Sequence, residues 1–196
     1  MTWFAFYDTS AVNANALSLA LLRAFCFNTT MHTKIKIGIS ACLLGKNVRY
    51  DGGNRLEQGL LDALGPLVEW VPLCPEVAVG MSVPREPMQL VELGGRTRLI
   101  TIGKKIDQTD AFLSRAAVLL MQLEQEGVRG FVFKARSPSC GIRDVPLFSE
   151  AGEVLGKRSG LFTEAVRCRF PSVLLEDEEQ MRDSGIRAAF LEKLGA

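Results

Sequence analysis

The sequence predicts an α/β protein: a single three-layer, Rossmann-like domain with a mainly parallel sheet and small hairpin insertions. From residue 33 onward, apolar strand-like segments alternate with amphipathic helical segments, which is typical of βα units. Glycine and proline residues mark the boundaries between these segments. The 196-residue chain is 47% apolar and 23% charged, so it is able to bury the core of one ordinary domain.

The first half of the predicted sheet consists of two strands joined by a short helix. Residues 34–40 form the first strand, and leucines at helical spacing follow it until Gly65 and Pro66 end the helix. Residues 67–73 form the second strand. Residues 75–87 contain three prolines and one glycine, and we expect an ordered loop there.

The second half adds two hairpins, two further strands and three helices. Residues 88–93 and 96–103 flank Gly94-Gly95 and are predicted to form a hairpin. A long helix begins near Asp107 or Thr109 and ends at Gly127, before a third strand at residues 128–133. The remaining predictions are a small hairpin (145–148 with 154–155), a helix (161–169), a last strand (172–175) and a terminal helix (178–194).

The first residues do not continue this alternation. Met31 lies just before the first strand, where a compact α/β domain would begin. We therefore expect residues 1–33 to be an N-terminal extension, either helical around residues 16–26 or an artefact of the translation start. Residues 34–196 are expected to form the single domain.

Charge and cysteine content exclude several classes of partner. Lysine and arginine number 23 and aspartate and glutamate 22, so a net charge of +1 predicts no global attraction to nucleic acid or to anionic membranes. The apolar run at residues 16–27 contains Arg23 and is too short to span a bilayer. Five cysteines, an odd count, are typical of reduced thiols in the cytoplasm. We expect a cytoplasmic protein in which local groups would bind any charged ligand; the sequence does not indicate its oligomeric state.

Three of the five cysteines follow predicted strands. Cys42 follows the first strand, Cys74 the second, and Cys140 lies in the loop after the third. Because the carboxyl ends of parallel strands meet at one edge of a sheet, the three thiols are expected to converge. Their long separations match no short metal-binding motif. Cys26 and Cys168, beside arginines in helix-like segments, are interpreted as thiols that fill space.

The neighbouring charges suggest reactive or metal-binding thiols. Arginine and lysine side chains near a thiol lower its pKa and favour the thiolate, which binds metal or attacks an electrophile. The simpler alternative is that Arg49, Asp51 and Arg85 brace the loops by ion pairs. The lone histidine, His32, precedes the first strand and is expected at the opposite edge of the sheet.

Three thiolates limit the choice of metal. A structural zinc takes four ligands, whereas a catalytic metal keeps an open position. Iron-sulfur clusters bind thiolates, usually four, so three cysteines on a four-iron cluster would leave one iron free to bind substrate. A metal-free enzyme with one cysteine nucleophile remains an alternative.

Three motifs in this order and context resemble a bacterial family long known as domain of unknown function 523, whose members include thiouracil desulfidases. They are SACLLGKNVRYDG at residues 40–52, VPLCPEV at 71–77 with PREP at 84–87, and FKARSPSCG at 133–141. The resemblance extends from about residue 36 to the C-terminal helix. It implies a compact α/β domain in which Cys42, Cys74 and Cys140 bind an oxygen-sensitive 4Fe-4S cluster, with one iron that has no protein ligand.

The implied reaction removes sulfur from a thiolated base such as 2-thiouracil, with water as the oxygen source and hydrogen sulfide as the second product. Glu76 and Asp51 are the candidate general bases, and Ser137 is a third catalytic candidate that would orient the substrate. The predicted substrate-binding residues are Ser40, Arg49, Tyr50, Arg85 and Ser139. The alternative function is a non-catalytic iron-sulfur or metal-binding sensor of oxygen or redox state.

Overall fold

The structure, a computed structural model, describes residues 34–195, and the predicted N-terminal extension therefore lies outside the described residues. Its main sheet has four parallel strands in the order β2-β1-β5-β8. These strands are β1 (Ile35–Ser40), β2 (Val68–Leu73), β5 (Gly130–Phe133) and β8 (Leu174–Asp177). The predicted α/β fold class with a mainly parallel sheet is confirmed.

Helices cover both faces of the parallel sheet and produce the three layers. On one face, Ile37 and Ile39 of β1 pack with residues of α1 (Gln58–Leu64) and α5 (Ser184–Leu194). On the other face, Phe131 and Phe133 of β5 pack with α3 (Thr109–Gln125) and α4 (Leu161–Arg169). Gly38 of β1 is required by this packing, because a Cβ atom there would lie 2.3 Å from Cδ1 of Phe131.

The two predicted hairpins form, but they join into a second four-stranded sheet, which the sequence analysis did not predict. Its order is β4-β3-β6-β7, with β3 (Met88–Leu93), β4 (Arg96–Thr101), β6 (Val145–Phe148) and β7 (Val154–Arg158). The joining step is a parallel pairing of β3 with β6, in which Leu90 lies opposite Leu147. Both leucines are buried in the same core cluster as α3 and α4.

Two local predictions were wrong. The segment predicted as a loop after β2 begins with a short helix, α2 (Pro75–Ala78), because Pro75 occupies its first turn, where no backbone N–H is needed. The terminal helix begins at Ser184 rather than near residue 178. Asp183 caps it by accepting hydrogen bonds from the backbone N–H groups of Gly185 and Ile186.

None of the helices within residues 34–195 is long and apolar enough to cross a membrane.

Candidate functional site

A cavity of about 440 Å³ opens at the carboxyl edge of the parallel sheet, and it is lined by Cys42, Cys74 and Cys140 together. The convergence that the strand ends predicted is therefore present in the structure. Ligand sites in open parallel sheets lie at this edge because loops from several strands meet there. Met88 of the second sheet, together with Pro87 and Ile102 directly beside its strands, completes the apolar part of the wall.

Cys42 lies in a single 3-10 turn, Ala41–Leu44, directly after β1. Gly45 ends this turn with φ of 79°, a left-handed conformation that glycine adopts without strain. The Cys42 carbonyl accepts hydrogen bonds from the N–H groups of Gly45 and Arg55, at 3.2 and 2.9 Å. The backbone that carries this thiol is therefore fixed from two sides.

Cys74 is the residue between β2 and α2, and it occupies the capping position of that short helix. Its carbonyl accepts the N–H of Ala78 at 2.9 Å. Its sulfur lies 3.9 Å from the carbonyl oxygen of Val48, which belongs to the loop after Cys42. The first two cysteine loops are thus in direct contact.

Cys140 is held by a turn that Ser137 organises. The Ser137 hydroxyl oxygen accepts hydrogen bonds from the N–H groups of Ser139 and Cys140, at 3.3 and 3.2 Å. The Ser137 carbonyl accepts from the N–H of Gly141 at 2.8 Å. Ser137 also lines the cavity, and because both of its lone pairs are occupied, its hydroxyl hydrogen is left to donate.

The amino end of α4 anchors the same turn. The first N–H groups of a helix have no partner inside it, and here Leu161 and Phe162 donate to the carbonyls of Pro138 and Ser139, at 3.0 and 2.9 Å. The Thr163 hydroxyl donates to the Cys140 carbonyl at 2.7 Å. The third thiol is therefore fixed by a helix that follows it in the chain.

Glu76, Arg85 and Ser139 form a network that connects all three cysteine loops. Arg85 Nε donates to Glu76 Oε2 at 2.6 Å, and Arg85 Nη2 donates to the Val48 carbonyl at 2.9 Å. The Ser139 hydroxyl donates to Glu76 Oε1 at 2.7 Å. The Arg85 and Glu76 side chains are only 8% and 13% exposed. Their ion pair is therefore largely shielded from water.

The other predicted site residues separate into two groups. Ser40, Arg49 and Tyr50 line the cavity, as do Glu76, Arg85 and Ser137. Asp51 and Ser139 are not part of the lining. Asp51 is exposed, and hydrogen bonds from the Gly53 N–H and the Arg49 side chain hold its carboxyl pKa below the usual value. Ser139 is completely buried behind Glu76.

A charged pair at this edge of the sheet was not predicted from the sequence. Lys134, which lines the cavity directly after β5, forms an ion pair with the buried Glu178 directly after β8. Each of the two residues lies immediately after a parallel strand, and this position in the sequence could have indicated both. Glu178 was not predicted as a site residue because the last strand was expected to end at residue 175, whereas β8 ends at Asp177.

Burial keeps the three thiols protonated in the metal-free protein. It raises the pKa of Cys42 to about 11, and the nearby Cys74 thiol adds to this rise, while Arg49 and Lys134 oppose it. Burial also raises the pKa of Cys74, and it raises that of Cys140 well above its usual value. The prediction that neighbouring cations would produce thiolates was therefore wrong in its net direction. Metal must displace protons in order to bind.

We expect Cys42 in the metal-free folded protein to become reactive toward iodoacetamide only as the pH approaches 11. At pH 8 a thiol with that pKa is about 0.1% thiolate, the form that reacts. Because the pKa is higher in the folded chain than the usual 9.0, the protonated thiol favours folding below pH 9, and this contribution is lost as the pH rises toward 11. The rate of Cys42 alkylation is measured by peptide mapping as a function of pH, once in the folded protein and once in urea-unfolded protein as the reference. A folded-state midpoint near pH 9 would contradict the assignment.

The donor set fits an iron-sulfur cluster better than a single metal ion. Within residues 34–195, no group of three or more histidine, cysteine, aspartate or glutamate side chains is arranged to hold one metal ion. In a cluster each thiolate binds a different iron, so its ligands line a shared cavity without meeting at one point. Three cysteines around one cavity, without a fourth ligand of this kind, match that arrangement.

Comparison with known proteins agrees with this geometry. A solved structure, the 4Fe-4S-dependent thiouracil desulfidase TudS, is similar to this chain with a TM-score of 0.62 and 31% sequence identity, and the match covers 80% of this chain and 99% of TudS. The uncharacterized protein YbbK of Bacillus subtilis (strain 168) is 28% identical over 109 residues, 53% of this chain and 71% of YbbK. The sequence profile of 2-thiouracil desulfurase matches residues 37–178. This chain belongs to the 2-thiouracil desulfurase family.

Proposed function

We propose that this protein is an iron-sulfur-dependent desulfidase that converts a thiolated nucleobase such as 2-thiouracil to the oxo base and hydrogen sulfide. The observation that carries the proposal is the convergence of Cys42, Cys74 and Cys140, from three separate loops, on one cavity. The three thiolates would hold the 4Fe-4S cluster, and one iron would have no protein ligand. When bound, the cluster supplies a soft Lewis acid for the thiocarbonyl sulfur.

The remaining cavity surface suits a flat, partly polar ring. The whole cavity, which would hold the cluster as well as the base, has a volume of about 440 Å³, and the usual range for small-molecule sites is about 300–1,000 Å³. Val48, Met88 and Ile102 offer apolar contacts, and Tyr50 is held at the wall with the Arg49 guanidinium 5.3 Å from its ring centre. We propose that Tyr50 and Arg49 contact the faces and edges of the base, and that Ser40 is a further polar contact.

Glu76 is the proposed general base, because it is the only carboxylate among the residues that line the described cavity. A carboxylate offers about four acceptor sites on its two oxygens. Arg85 occupies Oε2 and the Ser139 hydroxyl occupies one site of Oε1, so Oε1 retains a site for the proton of the attacking water. Arg85 and Ser139 therefore orient Glu76. Asp51, outside the lining, keeps Arg49 in place.

Ser137 is proposed to bind the substrate as a donor. Its hydroxyl oxygen accepts two backbone N–H groups, so the hydroxyl hydrogen is the part that can reach an acceptor in the cavity. The net reaction adds one water to the thioamide carbon and releases hydrogen sulfide, and neither product differs in oxidation state from its source. A reducing compartment such as the cytoplasm would keep the three thiols free for metal binding.

The test is turnover by protein that has been purified and reconstituted without oxygen. We expect about four iron and four acid-labile sulfide per chain, a composition that defines the 4Fe-4S cluster. Incubation with 2-thiouracil should then yield uracil and sulfide in equal amounts, measured by chromatography and a colorimetric sulfide assay. A loaded cluster without turnover of any thiolated base would favour the sensor function. A colourless protein with about one zinc would contradict the cluster itself.

A further inference from the structure

The buried Glu178 is a titratable group for which the proposed reaction has no use so far. Glu178 is 2% exposed, and it follows β8 at the same sheet edge as the cavity. One carboxylate oxygen accepts the backbone N–H of Ala135 at 2.6 Å, and the other accepts the Lys134 ammonium. Burying a charged carboxylate is costly unless it is paired and hydrogen bonded. Here both of its oxygens are engaged by the chain segment that lines the cavity.

Lys134 is fixed more tightly than a surface lysine. Its backbone N–H donates to the Ser40 hydroxyl oxygen at 3.0 Å, and its ammonium donates to the Ala135 carbonyl at 3.2 Å as well as to Glu178. An ammonium has three N–H donors. Within residues 34–195 the third has no protein acceptor, and the side chain forms part of the cavity wall.

The location of this pair is beside the first cysteine. Lys134 and Glu178 both lie close enough to Cys42 to influence its pKa, in opposite directions. The β1, β5 and β8 strands are neighbours in the sheet, and their ends deliver Ser40, Lys134 and Glu178 side by side. A cation held at this point therefore faces whatever occupies the cavity next to Cys42.

We propose that Lys134 is a substrate-binding residue whose free N–H donates to an oxygen or ring-nitrogen acceptor of the base, and that Glu178 is the positioning residue that holds it there. This inference rests on the proposed function, since it names a contact to the same thiolated base. Lys134 contributes a charged hydrogen bond, and Glu178 determines the direction in which the ammonium is presented.

The experiment measures binding of uracil, the sulfur-free product, by isothermal titration of the reconstituted holoprotein. Without a thiocarbonyl, uracil reports the contacts of the ring apart from those of the sulfur, and its binding requires no turnover. We expect Lys134→Met to weaken binding roughly 10-fold or more, as loss of a charged hydrogen bond does. Lys134→Arg should retain most of the affinity, because it retains a cationic donor at the same place.

Glu178→Gln keeps an oxygen for the Ala135 N–H but removes the charge that holds the ammonium, so we expect an intermediate loss of affinity. Lys157→Met is the matched control. Lys157 is an exposed lysine paired with Asp144 on the second sheet, and its side chain is 67% exposed. Iron content and melting temperature are measured for every variant, so that a folding defect is recognised. If Lys134→Met does not fold, the uracil affinities of Glu178→Gln and Lys134→Arg test the inference in its place.

Equal uracil affinity in the parent protein, Lys134→Met and Glu178→Gln, at equal iron content, would overturn the inference, as would the absence of uracil binding in all of them. Turnover of 2-thiouracil is measured in parallel on the parent. If the parent binds uracil through Lys134 but has no turnover, the proposed reaction fails while the binding role stands. If turnover is normal and Lys134→Met has unchanged affinity, the binding role alone fails.

Discussion

Replacement of any one of Cys42, Cys74 and Cys140 by serine is expected to remove both the proposed cluster and the proposed desulfidase activity, so that the three variants fail together. A serine hydroxyl is a harder ligand that ionises far less readily than a thiol, and soft thiolates are the ligands that iron-sulfur clusters select. Even changes in the outer shell of a metal site cost about 10–100-fold, so we expect the loss of a ligand to lower activity by more than about 100-fold.

The measurement is iron and acid-labile sulfide per chain after anaerobic reconstitution, together with the rate of uracil formation. Cys168→Ser is the matched control, because Cys168 is exposed on α4 and does not line the cavity. It should keep full cluster content and activity. A different pattern, in which one cysteine variant is inactive while the other two are unaffected, would indicate a metal-free enzyme with a single nucleophilic cysteine.

The three variants are expected to fold because the thiols share a preorganised scaffold that does not depend on any one of them. Glu76 bonds to Arg85 and Ser139, and Arg85 bonds to Val48, so that the loops of Cys74, Cys140 and Cys42 are joined before any metal binds. The buried thiols are protonated in that state, and their protons leave when iron enters. Removing one ligand leaves this scaffold in place, so the variants are expected to fold and yet fail to hold the cluster.

The parallel sheet could be predicted from the sequence because its signals are local. Each strand is a short apolar run, and each is followed by a glycine or proline boundary or by a helix with leucines at helical spacing. The second sheet could not be predicted in the same way. Its two hairpins are local, but the pairing of Leu90 with Leu147 joins segments far apart in the chain. That pairing depends on both leucines being buried against α3 and α4.

The cysteines of the site could be predicted for the same reason, since position after a parallel strand is visible in the sequence. The protonation state of the thiols could not be predicted from the sequence. Arg49 and Lys134 do act on Cys42 in the expected direction, but burial outweighs them, and burial arises only when the loops pack together. The same limit applies to Ser139, which is predicted from its place beside Cys140 and is found behind Glu76 with no face on the cavity.

The distinction between Glu76 and Asp51 is a second case in which tertiary structure decides. Both carboxylates follow a motif cysteine in the sequence, Glu76 two residues after Cys74 and Asp51 nine residues after Cys42. In the structure Glu76 faces the cavity, whereas Asp51 is turned toward the Gly53 N–H and Arg49 at the surface. The sequence offers both residues as candidate general bases, but removal of their charges is expected to have very different effects on activity.

Glu76→Gln is expected to lower kcat by about 100-fold or more, the usual contribution of a positioned general base. The glutamine side chain has nearly the same shape. Its oxygen can accept from Arg85 and its N–H₂ can donate to the Ser139 hydroxyl oxygen, so the network that joins the cysteine loops is retained. Cluster content should therefore stay close to that of the parent while turnover of 2-thiouracil falls.

Asp51→Asn provides the comparison, since it removes the other candidate carboxylate. Asp51 makes an exposed ion pair with Arg49, and such pairs contribute little because water and salt screen them, so the expected loss of activity is below about fivefold. Both variants are assayed for kcat, iron and acid-labile sulfide under the same anaerobic conditions. If iron content in Glu76→Gln falls in proportion to activity, Glu76 holds the loops together without acting as the base. A larger loss in Asp51→Asn than in Glu76→Gln would reverse the assignment, because a carboxylate outside the cavity would then control proton transfer.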